Sequence, residues 1–106
     1  MRLINDDVLA TVVIWQESRG ESYFGKVGVA EVLRNRTVLK YMSDGTLVGT
    51  VLWKQQFSGM NAGDVNRIPS FKLDDQDSVV QECRRAWKDA CAGSNRVHGA
   101  VHYLNV

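Results

Sequence analysis

Glu17 follows the apolar run Val12-Val13-Ile14-Trp15 by two residues, and beyond Gly20 a second carboxylate follows at Glu21. Near the C-terminal end of a helix the negative pole of the backbone dipole disfavours an ionised carboxyl, and a neighbouring tryptophan lowers the local polarity. Both effects are expected to hold Glu17 in its acid form. A carboxyl kept protonated near neutral pH is what a general acid needs. An ordinary solvated helix end gives the same octapeptide, so the rest of the chain has to separate the two readings.

A glycosidase with two carboxylates needs a base or nucleophile several ångströms across a cleft from the acid. Glu21, Glu31, Asp64 and Asp74 are available, and none stands in a context that singles it out. A single-acid route stays open, in which one glutamic acid protonates the glycosidic oxygen and then acts as base while a hydroxyl of the substrate attacks. His98 and His102 have the i, i+4 spacing of a helical metal pair. Gly99-Ala100-Val101-His102-Tyr103 reads as extended, however, which would separate them by roughly 13 Å at about 3.3 Å per residue. No metal or other cofactor is expected. Cys83 and Cys91 fall eight residues apart in one predicted helix, roughly 12 Å at about 1.5 Å per residue. That exceeds the reach of a disulfide and predicts two free, core-filling thiols. No phosphate-binding glycine motif is present.

The elements that must position these groups follow from periodicity and punctuation. Asn5, Asp6 or Asp7 can cap a first helix with Val8, Leu9, Val12, Val13, Ile14 and Trp15 on a wide buried stripe, stopped at Gly20. A second helix is predicted from about Phe24 to Lys40. After the turn Ser43-Asp44-Gly45, Thr46 or Asp44 can cap a short helix in LVGTVLWKQQ. Phe57 to Phe71, with three Gly or Pro breaks, reads as a long loop, a length that in compact domains usually carries function. A last helix from about Asp75 to Ala92 places Val79, Val80, Cys83, Ala86, Trp87 and Ala90 on its core face and ends at Gly93. Val97 to Leu104 is expected to be a short extended segment.

With 106 residues and 44% hydrophobic content the chain suits a single domain, residues 1–106. Thirteen basic against twelve acidic residues leave a formal charge of +1, so nothing global points to nucleic acid or an anionic membrane. Arg34, Arg36, Arg84 and Arg85 could still cluster locally. No run approaches the roughly 18–20 apolar residues of a membrane span. The beginning of the chain suits a helix start better than a secretion signal.

Four separated segments carry a resemblance: Glu17-Ser18-Arg19-Gly20-Glu21; Gly25 with Val27 to Arg36 (VGVAEVLRNR); Gln56-Phe57-Ser58; and Gly99-Ala100-Val101-His102-Tyr103-Leu104-Asn105. In this order the chain resembles the SleB-like cell-wall hydrolases, the spore-cortex-lytic type that also occurs among bacteriophage lysis enzymes. The resemblance implies a lysozyme-like, mainly helical α+β domain with a small β segment near the C-terminus. It implies action on peptidoglycan glycan strands at the MurNAc–GlcNAc bond, as a lytic transglycosylase or muramidase with Glu17 as the acid. Glu21, Gln56, Phe57, Ser58, Asn61, Tyr103 and Asn105 are the expected substrate-binding residues, and Arg19, Asn35 and Arg36 the expected helix braces. A phage endolysin is the expected type, a monomer made in the host cytoplasm that reaches the wall after another protein opens the membrane. Two competing readings are an N-acetylmuramoyl-L-alanine amidase and a non-catalytic wall-binding or phage structural module.

Overall fold

The computed structural model describes residues 5–53 and 76–102. Four helices are present among them: α1 (Asp6–Ser18), α2 (Tyr23–Leu39), α3 (Leu47–Val51) and α4 (Ser78–Cys91). Helix α1 is apolar on most of its circumference, the pattern of a helix enclosed by others. Ala10, Val13 and Ile14 are fully buried, with Leu9 and Val12 nearly so, in a cluster with Val27, Ala30 and Leu33 of α2, Leu47 and Val51 of α3, and Cys83, Ala86 and Ala90 of α4. Helix α4 is the opposite case, with one narrow apolar stripe and the rest in water. Its Trp87 ring closes the cluster, and the indole Nε1–H donates to Asp7 Oδ1 at 3.2 Å.

Each helix start is satisfied by a short polar side chain, as orphan amides require. Asn5 Oδ1 accepts from the Asp7 amide, Ser22 Oγ from Gly25, Thr46 Oγ1 from Gly49, and Asp77 Oδ1 from Val79 and Val80. Asp44 accepts from both the amide and the hydroxyl of Thr46, and these bonds hold its carboxyl below the usual range. Helix α4 ends in a Schellman motif: Gly93, at φ 110°, donates to Ala90 O, and Ser94 donates to Asp89 O.

Several expectations need correction. The α+β class is not found, because the described residues are helices and turns with no strand. The expected β segment is a chain of turns from Ser94 to His102. His98 (φ 53°) and Gly99 (φ 77°) are both left-handed, which a strand excludes, and Asn95 Oδ1 captures the Gly99 amide at 2.8 Å. Helix α1 does stop before Gly20, but not by a left-handed glycine, since Gly20 has no positive φ. Val8 is exposed rather than on the buried stripe, while the short helix expected after Thr46 is found as α3. Cys83 fills the core as expected and burial pushes its thiol up to about 11, whereas Cys91 is exposed. The long loop expected from Phe57 to Phe71 lies outside the described residues.

What holds the turn segment in place is the polar side of α2. Glu31, fully buried, accepts from the Val97 amide at 2.9 Å and from the Ser94 hydroxyl. The Arg34 guanidinium donates to the carbonyls of Ala90 and Ser94 and to Asn35 Oδ1. Asn35 Nδ2 donates to Ala100 O at 2.9 Å, and Arg36 Nε donates to Val101 O. Arg34 and Arg36 are thus committed to backbone carbonyls and do not form a basic surface patch with the arginines of α4.

Two outcomes test this packing. Glu31→Ala leaves the Ser94 hydroxyl and the Val97 amide without their acceptor, and is expected to lower unfolding free energy by about 2–4 kcal/mol in urea denaturation. In the folded protein a thiol reagent is expected to modify Cys91 within minutes, while Cys83 reacts only after denaturant is added. Equal rates at both cysteines would contradict the core placement of Cys83.

Candidate functional site

The candidate acid sits where α1 turns into α2. Glu17 occupies the last turn of α1, one helical turn beyond Val13 and Ile14, both at 0% exposure, and is itself half-buried. Two adjacent contacts fix this turn. The Ser18 hydroxyl donates to Ile14 O at 2.6 Å, and the Arg19 guanidinium lies 4.4 Å from the centre of the Trp15 ring. Arg19 is therefore a brace, acting through a cation–π contact on Trp15 one turn back on the same helix. The corner then closes with the Glu21 amide on Ser18 O at 2.9 Å.

Glu21 is exposed at this corner, and α2 is shaped to receive it. A Cβ on Gly25 would stand 2.9 Å from Glu21 Cβ, closer than real side chains approach. Glycine at 25 therefore leaves room for the Glu21 side chain to lie against the first turn of α2. One residue further, Lys26 is almost fully buried, and its ammonium donates to the Glu21 carbonyl and stands 3.7 Å from Glu82 Oε1 of α4. Sequence reasoning missed Lys26. A lysine one residue past the glycine of the motif, with a glutamate on a later helix, was the only signal, and pairing across helices cannot be read from spacing.

Around the same corner Tyr23 donates its hydroxyl to Asp89 of α4. Burial against α4 and this carboxylate together push the phenol up to about 12. Arg85 lies 5.0 Å from the Tyr23 ring centre, and Arg96 lies 3.8 Å from that of Phe24, itself an exposed ring. These aromatic–guanidinium pairs were also unforeseen, since each joins residues over sixty positions apart.

The remaining expected positions divide. Glu31, weighed as a second carboxylate, is fully buried and bonded to Ser94 and Val97, so it does not face a cleft. Asn35 and Arg36, expected to brace the helices, hold the C-terminal turn segment instead. His102 does not stand in an extended strand beside His98. Its Nδ1 faces Arg36 Nη2 at 3.3 Å and its Nε2 lies 2.8 Å from the Tyr41 hydroxyl, with the Tyr41 ring edge-on. Because a guanidinium only donates, Nδ1 is the acceptor and Nε2 carries the proton. Among the described residues no group of three or more His, Cys, Asp or Glu side chains could hold a metal ion. Gln56, Phe57, Ser58, Asn61, Asp64, Asp74, Tyr103 and Asn105 lie outside the described residues.

Comparison with known proteins bears on this arrangement. A family model described as Cell Wall Hydrolase matches residues 20–106. A spore cortex-lytic enzyme of Bacillus cereus is 29% identical over 101 residues, which cover 95% of this chain and 35% of that protein. A spore cortex-lytic enzyme of Halalkalibacterium halodurans is 30% identical over 101 residues, covering 95% of this chain and 27% of that protein. The chain thus spans about a third or less of the length of these relatives. At most a few terminal residues fall outside these alignments, so Glu17 lies within them even though the family match begins at Gly20. No solved structure matches the chain.

The corner gives a paired test on two glycines of α2. Gly28→Ala places a methyl at an ordinary 3.6 Å from Val97, and is expected to stabilise by about 0.5–1 kcal/mol through helix propensity. Gly25→Ala carries the same propensity gain but displaces Glu21, and is expected to destabilise by about 1–3 kcal/mol. Thermal denaturation of both variants reads the sign; stabilisation by both would mean that the corner tolerates a Cβ at 25.

Proposed function

This chain belongs to the cell wall hydrolase family, in line with its SleB-like motifs, and from that membership we propose that it cleaves the glycan strand of peptidoglycan at the MurNAc–GlcNAc bond with Glu17 as general acid. The observation that carries the reading is the setting of Glu17: a half-buried carboxyl in the last turn of an enclosed helix, beside a corner fixed by Ser18, Arg19 and the Glu21 amide. A general acid must be held within hydrogen-bond reach of the oxygen it protonates, and a tied helix end supplies that constancy.

In this mechanism the Glu17 carboxyl gives its proton to the glycosidic oxygen as the bond to the anomeric carbon breaks and positive charge develops on the sugar ring. The resulting carboxylate then takes a proton from the attacking hydroxyl. The engagement of Glu31 with Ser94 and Val97 favours a single-acid route, because it takes one of the other candidate carboxylates out of contact with substrate. In that route the 6-hydroxyl of the muramoyl residue attacks and a 1,6-anhydro end forms. With water as the attacking group the product has a reducing end instead.

The test is digestion of purified peptidoglycan by the parent and by Glu17→Gln, with mass spectrometry of the released muropeptides. The expected outcome is anhydro-muropeptides from the parent and a loss of about 10²–10⁴-fold in rate for the variant, the usual worth of a general acid. Reducing ends would replace the intramolecular step by hydrolysis. Release of intact peptides alone would point to an amidase, and a Glu17→Gln variant that lyses cells as well as the parent would remove the glycosidase reading.

A further inference from the structure

Lys26 is a buried charge to which the proposed mechanism gives no task. It is 2% exposed and stands in the first turns of α2, where the positive pole of the helix dipole disfavours a cation. Burial adds a desolvation cost to that. An apolar side chain of similar length would fill the same volume without either cost, and replacing a buried ion pair by apolar residues is often neutral or stabilising. What an apolar residue could not do is reach the Glu21 carbonyl with a donor.

That carbonyl belongs to the corner carrying the candidate acid. The Glu21 amide holds Ser18 O, the Lys26 amide holds Ser22 O at 3.0 Å, and the Lys26 ammonium holds Glu21 O from the α2 side. Glu82, two-thirds buried on α4, stands 3.7 Å behind the ammonium, so the corner is referenced to a third helix. We propose that Lys26, braced by Glu82, is a positioning residue: it clamps the Ser18–Ser22 corner and thereby fixes the direction of the Glu17 carboxyl. The proposal rests on the reading of Glu17 as the acid. The clamp itself makes no contact with substrate and moves no proton; it narrows the range of angles from which the acid meets the glycosidic oxygen. Misplacement of a reacting group by about 1 Å can cost on the order of 100-fold in rate, so a small relaxation of the corner is felt in turnover.

The experiment uses two variants of the full chain, Glu82→Gln, which removes the brace but keeps the ammonium, and Lys26→Met combined with Glu82→Leu, which removes the clamp and fills its volume. For each, turnover on solubilised glycan strands and amide hydrogen exchange at Glu21 are measured after a thermal melt has shown a folded protein. Expected for the double variant is a fall of at least about tenfold in kcat with KM changed by less than about twofold, and exchange at Glu21 faster by at least about tenfold. For Glu82→Gln both effects are expected in the same direction and smaller. A folded variant with parental kcat and parental exchange at Glu21 overturns the proposal, and Glu82→Gln alone decides the matter if the double variant does not fold. If the parent cleaves no glycan, the glycosidase reading falls, while exchange at Glu21 still reports whether Lys26 holds the corner.

Discussion

A carboxylate enclosed by protein has to be met by donors, and in this molecule Glu31 is met by a segment of chain more than sixty residues away. Its two oxygens take the Val97 amide and the Ser94 hydroxyl. Arg34, Asn35 and Arg36, on the following turn, send their donors to the carbonyls of residues 90, 94, 100 and 101. The exchange is complementary, with acid taking donors and bases and amide taking acceptors. A stretch of backbone with no strand or helix of its own therefore has its polar groups satisfied by side chains. Helix α2 then serves two masters: its apolar side joins α1, α3 and α4 in the core, and its polar side fixes the path toward the chain's last residues.

The same economy governs the other end of α2. Ser22 caps it, Gly25 makes space at its first turn, and Lys26 reaches back from it, so the helix that follows shares with the end of α1 in building the corner that carries Glu17 and Glu21. Helix α1 contributes the apolar bulk behind the acid, and the arginine at its end lies over its own tryptophan. The candidate site is therefore a junction of one very apolar helix with one that is polar on one side. The first supplies the buried apolar side of the corner, and the second holds its backbone through Ser22 and Lys26.

Much of this was legible in the sequence where a local rule decides. Asn5, Thr46 and Gly93 each mark a helix end by short-range hydrogen bonding or backbone conformation. The stripe Val80, Cys83, Ala86, Trp87 and Ala90 is a pattern of period 3.6 that needs no knowledge of its partner. The position of Glu17 on a helix end was likewise local. What sequence reasoning misread was Val97 to His102, where alternating small and apolar residues mimic a strand. Asn95 and Gly99 turn the chain instead, and the side chains of α2, not a neighbouring strand, take its hydrogen bonds. The roles of Lys26 and Glu31 were hidden for a related reason. A charged residue inside a helical pattern reads as solvated unless the distant group that satisfies it is known, and that partner is set by tertiary structure alone.

The long reach of the α2 side chains also couples the C-terminal segment to the core. Residues 31 to 36 find their partners only at residues 90 to 101, so a chain still short of that stretch cannot enclose Glu31 without leaving a carboxylate dry and unmatched. Any form in which residues 90 to 101 are detached must keep the polar side of α2 in water. Those contacts span more than fifty residues and carry the corresponding cost of loop closure. Detaching the C-terminal segment therefore also exposes the enclosed carboxylate of Glu31, so the two are lost together.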